Sequence, residues 1–86
     1  MKIKKELIKR EVAGDTILVP VGKTVYDTNG LFVLNEIGAF IWDRLEKFET
    51  TEEIVDAILE EYDAQRSEVT QDVEEFLEKF RNWGVI

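Results

Sequence analysis

With 86 residues, no histidine and no cysteine, the chain has room for one small domain spanning 1–86. It lacks the side chains most used as general base, metal ligand and nucleophile. The formal net charge of -8 is carried by one half: residues 1–43 balance six Lys/Arg against six Asp/Glu, whereas residues 44–86 set five against thirteen. An acidic second half cannot neutralise phosphates, which argues against nucleic acid and anionic membranes and leaves a peptide or protein as partner.

Taken in chain order, Leu7 to Ala13 has the composition of a first strand, and Gly14-Asp15 is a turn pair that leads into a second strand, Thr16-Ile17-Leu18-Val19. Pro20 lacks an N–H and ends regular pairing or marks an edge. From Val21 to Thr28 the signals conflict, because Gly22 suggests a loop and Thr24-Val25-Tyr26 a strand; the segment is expected to be a loop with extended character. Asn29-Gly30 is again a hairpin pair, and Leu31-Phe32-Val33-Leu34 follows as the third strand. Its two faces are both apolar, Leu31 and Val33 on one, Phe32 and Leu34 on the other. An antiparallel sheet with a solvated face alternates with polar residues. This strand is therefore either covered on both sides or has a face awaiting a partner.

The period then changes from two to that of a helix. Ile37, Phe40, Ile41 and Leu45 fall on one helical face, with Asn35 as N-cap and Glu36 where the helix dipole favours an anion, so a first helix is expected at about 35–47. The second helix starts with a capping box, Thr50-x-x-Glu53, and carries Ile54, Val55, Ile58, Leu59 and Tyr62 on its apolar face. The third is expected to begin at Ser67 as N-cap and to bury Val69, Val73, Phe76, Leu77 and Phe80, until Gly84 stops it. A three-stranded antiparallel sheet followed by three helices is an α+β domain, winged-helix-like in its order of elements.

The segment Leu34-Asn35-Glu36-Ile37-Gly38-Ala39-Phe40-Ile41-Trp42 resembles the PqqD-like family, in which a leucine-asparagine pair ends the third strand and isoleucine-tryptophan follows in the first helix. The resemblance continues through Thr50, Glu53-Ile54, Tyr62-Asp63, Asp72-Val73 and Phe76-Leu77 to Gly84-Val85-Ile86, and covers about residues 12 to 86. One departure stands out: Glu46-Lys47 occupies the place of the family's aspartate-glycine turn after the first helix, which removes a left-handed C-cap. The resemblance implies a non-catalytic peptide chaperone, a recognition element for ribosomally made precursor peptides. Such a protein binds the leader segment by strand addition and presents it to a modifying enzyme, a radical SAM enzyme in the simplest case.

On this chain the resemblance places the peptide antiparallel along Gly30, Leu31, Phe32, Val33 and Leu34, in a groove shared with Val73, Phe76, Leu77 and Phe80 of the third helix. Lys79 and Arg81 would then meet acidic residues of the peptide. Against this, an apolar stripe at helical period is commonly core, exposed charges are commonly just solvated, and Asn35 and Trp42 are explained by capping and packing.

Catalytic and metal-binding patterns are thin. The carboxylate pairs Glu52-Glu53, Glu60-Glu61 and Glu74-Glu75 are helix neighbours whose side chains diverge, and no phosphate loop or calcium loop occurs. No cofactor, metal or enzymatic activity is expected. No window approaches the roughly 20 apolar residues of a membrane span and no apolar stretch follows the charged start, so a cytoplasmic protein is expected, as a monomer or a strand-exchanged dimer. Two other readings stand beside the chaperone. A winged-helix DNA-binding regulator would need a basic recognition helix, which neither the second nor the third helix offers, and an adaptor would bind protein only.

Overall fold

A computed structural model of the chain describes residues 1–23 and 32–86. The first hairpin pairs β1 (Leu7–Val12) with β2 (Asp15–Pro20), in a register running from Leu7 opposite Pro20 to Val12 opposite Asp15. The turn is therefore Ala13-Gly14, one residue earlier than expected. Both residues have positive φ, 52° and 85°, as a two-residue turn matching the strand twist requires. Gly14 adopts this conformation without strain, whereas Ala13 is a side-chain-bearing residue held in the left-handed region. Pro20 closes β2, as its missing N–H suggests.

Strand β3 (Phe32–Leu34) pairs antiparallel with β2, Thr16 opposite Leu34 and Leu18 opposite Phe32, to give the sheet order β1-β2-β3. The expected turn at Asn29-Gly30, the strand positions Gly30 and Leu31 and most of the preceding loop lie outside the described residues. Alternation along the three strands separates two faces. The inner face presents Leu18, fully buried, with Phe32 and Leu34; the outer presents Ile8, Val12 and Val33, at 41, 53 and 68 % exposure. Helices thus cover only one face of the third strand, and the other is the open face that its apolar pattern allowed.

Asn35 caps helix α1 (Glu36–Arg44): its Oδ1 accepts from the Gly38 N–H at 2.7 Å, and its carbonyl accepts from the Ala39 N–H at 2.9 Å. The helix stops at Arg44, short of the expected 47, and Leu45–Lys47 tightens into a 3-10 turn that ends where Phe48 becomes extended. Without a glycine to turn left-handed, the chain leaves the helix by narrowing its last turn. The amino group of Met1 donates to the Leu45 carbonyl at 2.9 Å and also to that of Phe48, placing a positive charge at this helix end.

Thr50 caps α2 (Thr51–Glu61), its Oγ1 accepting from the Glu53 N–H at 3.2 Å. The return bond of the box goes to the Glu49 N–H, at 3.4 Å from the Glu53 carboxylate. Helix α3 (Arg66–Asn82) begins earlier than expected, with Gln65 at the cap position and no side-chain cap bond, so Ser67 lies inside the first turn. Arg66, in that turn, forms an exposed ion pair with Asp56 of α2. The helix ends in a Schellman motif: Gly84 has φ 73°, its N–H donates to Arg81 O at 3.0 Å, and the Val85 N–H donates to Phe80 O at 2.8 Å. Phe80 and Val85, each 1 % exposed, supply the apolar contact of this cap.

The helices and the inner sheet face share one core, in which α1 lies against β3 and α2 against α3, and the N-terminal arm crosses to the chain's other end through Lys4 N–H donating to Val85 O at 2.6 Å. Lys9 on β1 reaches Asp43 on α1 at 2.7 Å. Among the described residues no helix is long and apolar enough to cross a membrane.

Two substitutions test the local reasoning by urea denaturation. Ala13→Asn, which relieves a left-handed alanine before glycine, is expected to stabilise the fold by about 0.5–1 kcal/mol. Asn35→Ala is expected to cost about 1 kcal/mol through the lost cap.

Candidate functional site

Between β3 and α3 lies an open groove of ≈ 590 Å³. Val33 and Leu34 of β3 form one wall, with Asp15 at the start of β2; Asp72, Glu75, Phe76 and Lys79 of α3 form the other. Asn35, Ile37, Gly38 and Ile41, from the start of α1, complete it. The four α3 residues share one helical face by their spacing of three, four and seven. Gly38 is buried, and a Cβ there would stand 3.2 Å from Asn35 Oδ1, 3.3 Å from the Phe76 ring and 3.4 Å from a Leu34 methyl. A helical glycine costs roughly 1 kcal/mol relative to alanine. Here its missing side chain lets both Leu34 and Phe76 approach the start of the helix.

The edge of β3 away from β2 carries no strand among the described residues, so backbone donors and acceptors face the groove side unpaired within the sheet. Charge along the groove is uneven. Asp15, Asp72 and Glu75 gather towards the Asn35 end, while Lys79 lies one to two turns further along α3. Among the described residues no group of His, Asp or Glu is placed to hold a metal ion.

Residues 16–86 match the family described as coenzyme PQQ synthesis protein D. The chain belongs to the PqqD family. A solved structure described as TbiB1 in complex with the TbiA(beta) leader peptide is similar to it, with 32% sequence identity and a TM-score of 0.71. That match covers 99% of this chain and 93% of the TbiB1 chain. No curated protein matches significantly. The PqqD-family fold found here, three antiparallel strands followed by three helices, is the α+β arrangement that the sequence pattern predicts.

Within this PqqD-family fold the expected contact residues do not all come together. Val33, Leu34, Phe76 and Lys79 line the groove together. Val73, Leu77 and Phe80 do not: at 0, 0 and 1 % exposure they form the core beneath it, because their stripe faces the sheet and α2. Arg81 faces a separate depression with Glu74, Glu78 and Asn82, on the side of α3 away from β3. Phe32 offers the groove side its strand backbone only. It points inward, its ring 4.9 Å from that of Phe80 and 4.3 Å from that of Trp83, so it supports the groove from below. Gly30 and Leu31 are outside the described residues.

Sequence reasoning passed over Asp15, Ile37, Gly38, Ile41, Asp72 and Glu75 as groove residues. The signal was present for three of them. Gly38 interrupts an otherwise good helix former run, and Asp72 and Glu75 fall at helical spacing from Phe76.

Thermal melts followed by circular dichroism distinguish the two sides of β3. Phe32→Asp is expected to destabilise by roughly 3 kcal/mol or more, since it removes core aromatic contacts and brings a carboxylate against them. Val33→Thr is expected to stay within about 0.5 kcal/mol of the parent chain.

Proposed function

We propose that this chain is a non-catalytic peptide chaperone that binds the leader segment of a ribosomally made precursor peptide and presents it to a modifying enzyme. The observation that carries this reading is the unpaired edge of β3 running beside an apolar groove on α3. An extended peptide added to that edge gains main-chain hydrogen bonds, and its alternate side chains enter the groove. Every strand pair of the sheet is antiparallel, and an antiparallel addition continues that pattern. The solved TbiB1 structure, at 32% identity over nearly the whole chain, contains a leader peptide.

Phe76 is the aromatic anchor of the groove in this reading, since it is half-buried and open to it, with Val33, Leu34 and Gly38 around it. Lys79 meets an acidic residue of the peptide. The modifying enzyme, a radical SAM enzyme, supplies the chemistry. Support for its docking comes from the outer sheet face, where Ile8 and Val12 stand exposed beside Ile17 and Val19. The chaperone works as a single domain in the cytoplasm, where ribosomal precursors are released.

The test is an NMR titration with a synthetic leader peptide encoded beside the gene. Amides of residues 32–35 and of α3 around Phe76 are expected to move most; shifts confined to α2 would contradict the placement. Phe76→Ala is expected to weaken binding by roughly 5- to 30-fold, the loss of about 1–2 kcal/mol for an interface aromatic, with circular dichroism confirming the fold.

A further inference from the structure

The groove has a direction written in charge. Phe32 meets Phe80 and Trp83, whereas Leu34 and Phe76 both come up against Gly38, so moving forward along β3 means moving backward along α3. The Asn35 end is therefore the end of Asp72 and Glu75, joined there by Asp15, which follows the hairpin and lies one residue beyond the Thr16–Leu34 pair. The Phe32 end is the end of Lys79. Neither Asp72 nor Lys79 is held in an ion pair among the described residues, and Glu75 accepts only a long 3.4 Å bond from Gln71. These charges lie on the walls of a groove whose middle, around Gly38, Leu34 and Phe76, is apolar.

A peptide antiparallel to β3 enters at the Asn35 end and leaves at the Phe32 end. Resting on the peptide-binding reading above, we propose that the groove selects a segment with a lysine or arginine, then an apolar residue, then an aspartate or glutamate, at alternate positions from N- to C-terminus. The cation sits among Asp15, Asp72 and Glu75, the apolar residue against Phe76 and Ile37, and the anion at Lys79. The spacing fits. Asp72 to Lys79 spans about 10 Å along a helix at 1.5 Å per residue. Positions i and i+4 of a strand are about 13 Å apart on one face, and long charged side chains cover the difference. The reversed order sets like charges against each other at both ends, so the groove fixes direction as well as affinity.

The experiment uses two synthetic peptides of identical composition, acetyl-TKTLTET-amide and acetyl-TETLTKT-amide, titrated into the isotope-labelled chain at low salt. The first is expected to bind about tenfold more tightly, as two weakly screened surface pairs are made rather than opposed. The preference is expected to shrink at high salt. In the triple variant Asp72→Lys, Glu75→Lys, Lys79→Glu, all at exposed positions, the order of preference is expected to reverse. Binding of both peptides at the β3 edge with equal affinity, or an unreversed preference in the triple variant, overturns the charge assignment and leaves strand addition intact. Absence of shifts at β3 and α3 with either peptide up to millimolar concentration overturns the strand-addition reading itself.

Discussion

The packing of Phe80 is the interaction on which the other parts depend. Its ring sits edge-on to Phe32 at 4.9 Å and to Trp42 at 5.7 Å, and tilted against Phe76 at 4.4 Å. One side chain thus joins β3, α1 and the groove-facing side of α3. Its carbonyl also accepts the Val85 N–H of the Schellman motif, which ties the end of α3 to the same point. Aromatic pairs of this geometry add about 0.5–1.5 kcal/mol each beyond the area they bury. In a domain this small, with roughly 60–65% of its unfolded surface buried, such a junction matters more than it would in a larger core.

This junction determines which part of the third strand remains free. Phe32 and Leu34 are drawn inward against α3 and α1, and that places Val33 outward and leaves the far backbone edge of β3 beside an open groove. An apolar edge is a hazard for aggregation unless something occupies it. A peptide-binding role gives the edge an occupant, and the helical half beside it carries thirteen of the nineteen acidic side chains. Two of these carboxylates, Asp72 and Glu75, line the groove.

The corner after α1 illustrates how a family feature can be replaced. Glu46-Lys47 stands where the resemblance leads one to expect aspartate-glycine, and the chain makes the corner with a 3-10 turn, the Met1 amino group donating to the carbonyls of Leu45 in that turn and of Phe48 just after it. Satisfying helix-end carbonyls by a cation is a different solution to the same hydrogen-bonding requirement.

Elements whose signals are local were legible in the sequence. Asn35 and Thr50 cap helices because a side-chain oxygen three residues from an orphan N–H needs no tertiary partner, and the apolar stripes of α2 and α3 follow from period alone. The hairpin was legible too, though its turn lies at Ala13-Gly14, since cross-strand register and not composition selects which pair bends. Tertiary structure decided the rest. Ser67 is not a cap, since α3 starts at Arg66, and Val73, Leu77 and Phe80 are core because that stripe is buried against the rest of the chain. Whether an apolar residue supports a groove or lines it depends on what the rest of the chain brings against it. Periodicity places Phe76 and Phe80 on nearly the same face, and only the approach of Gly38 and Phe32 separates them.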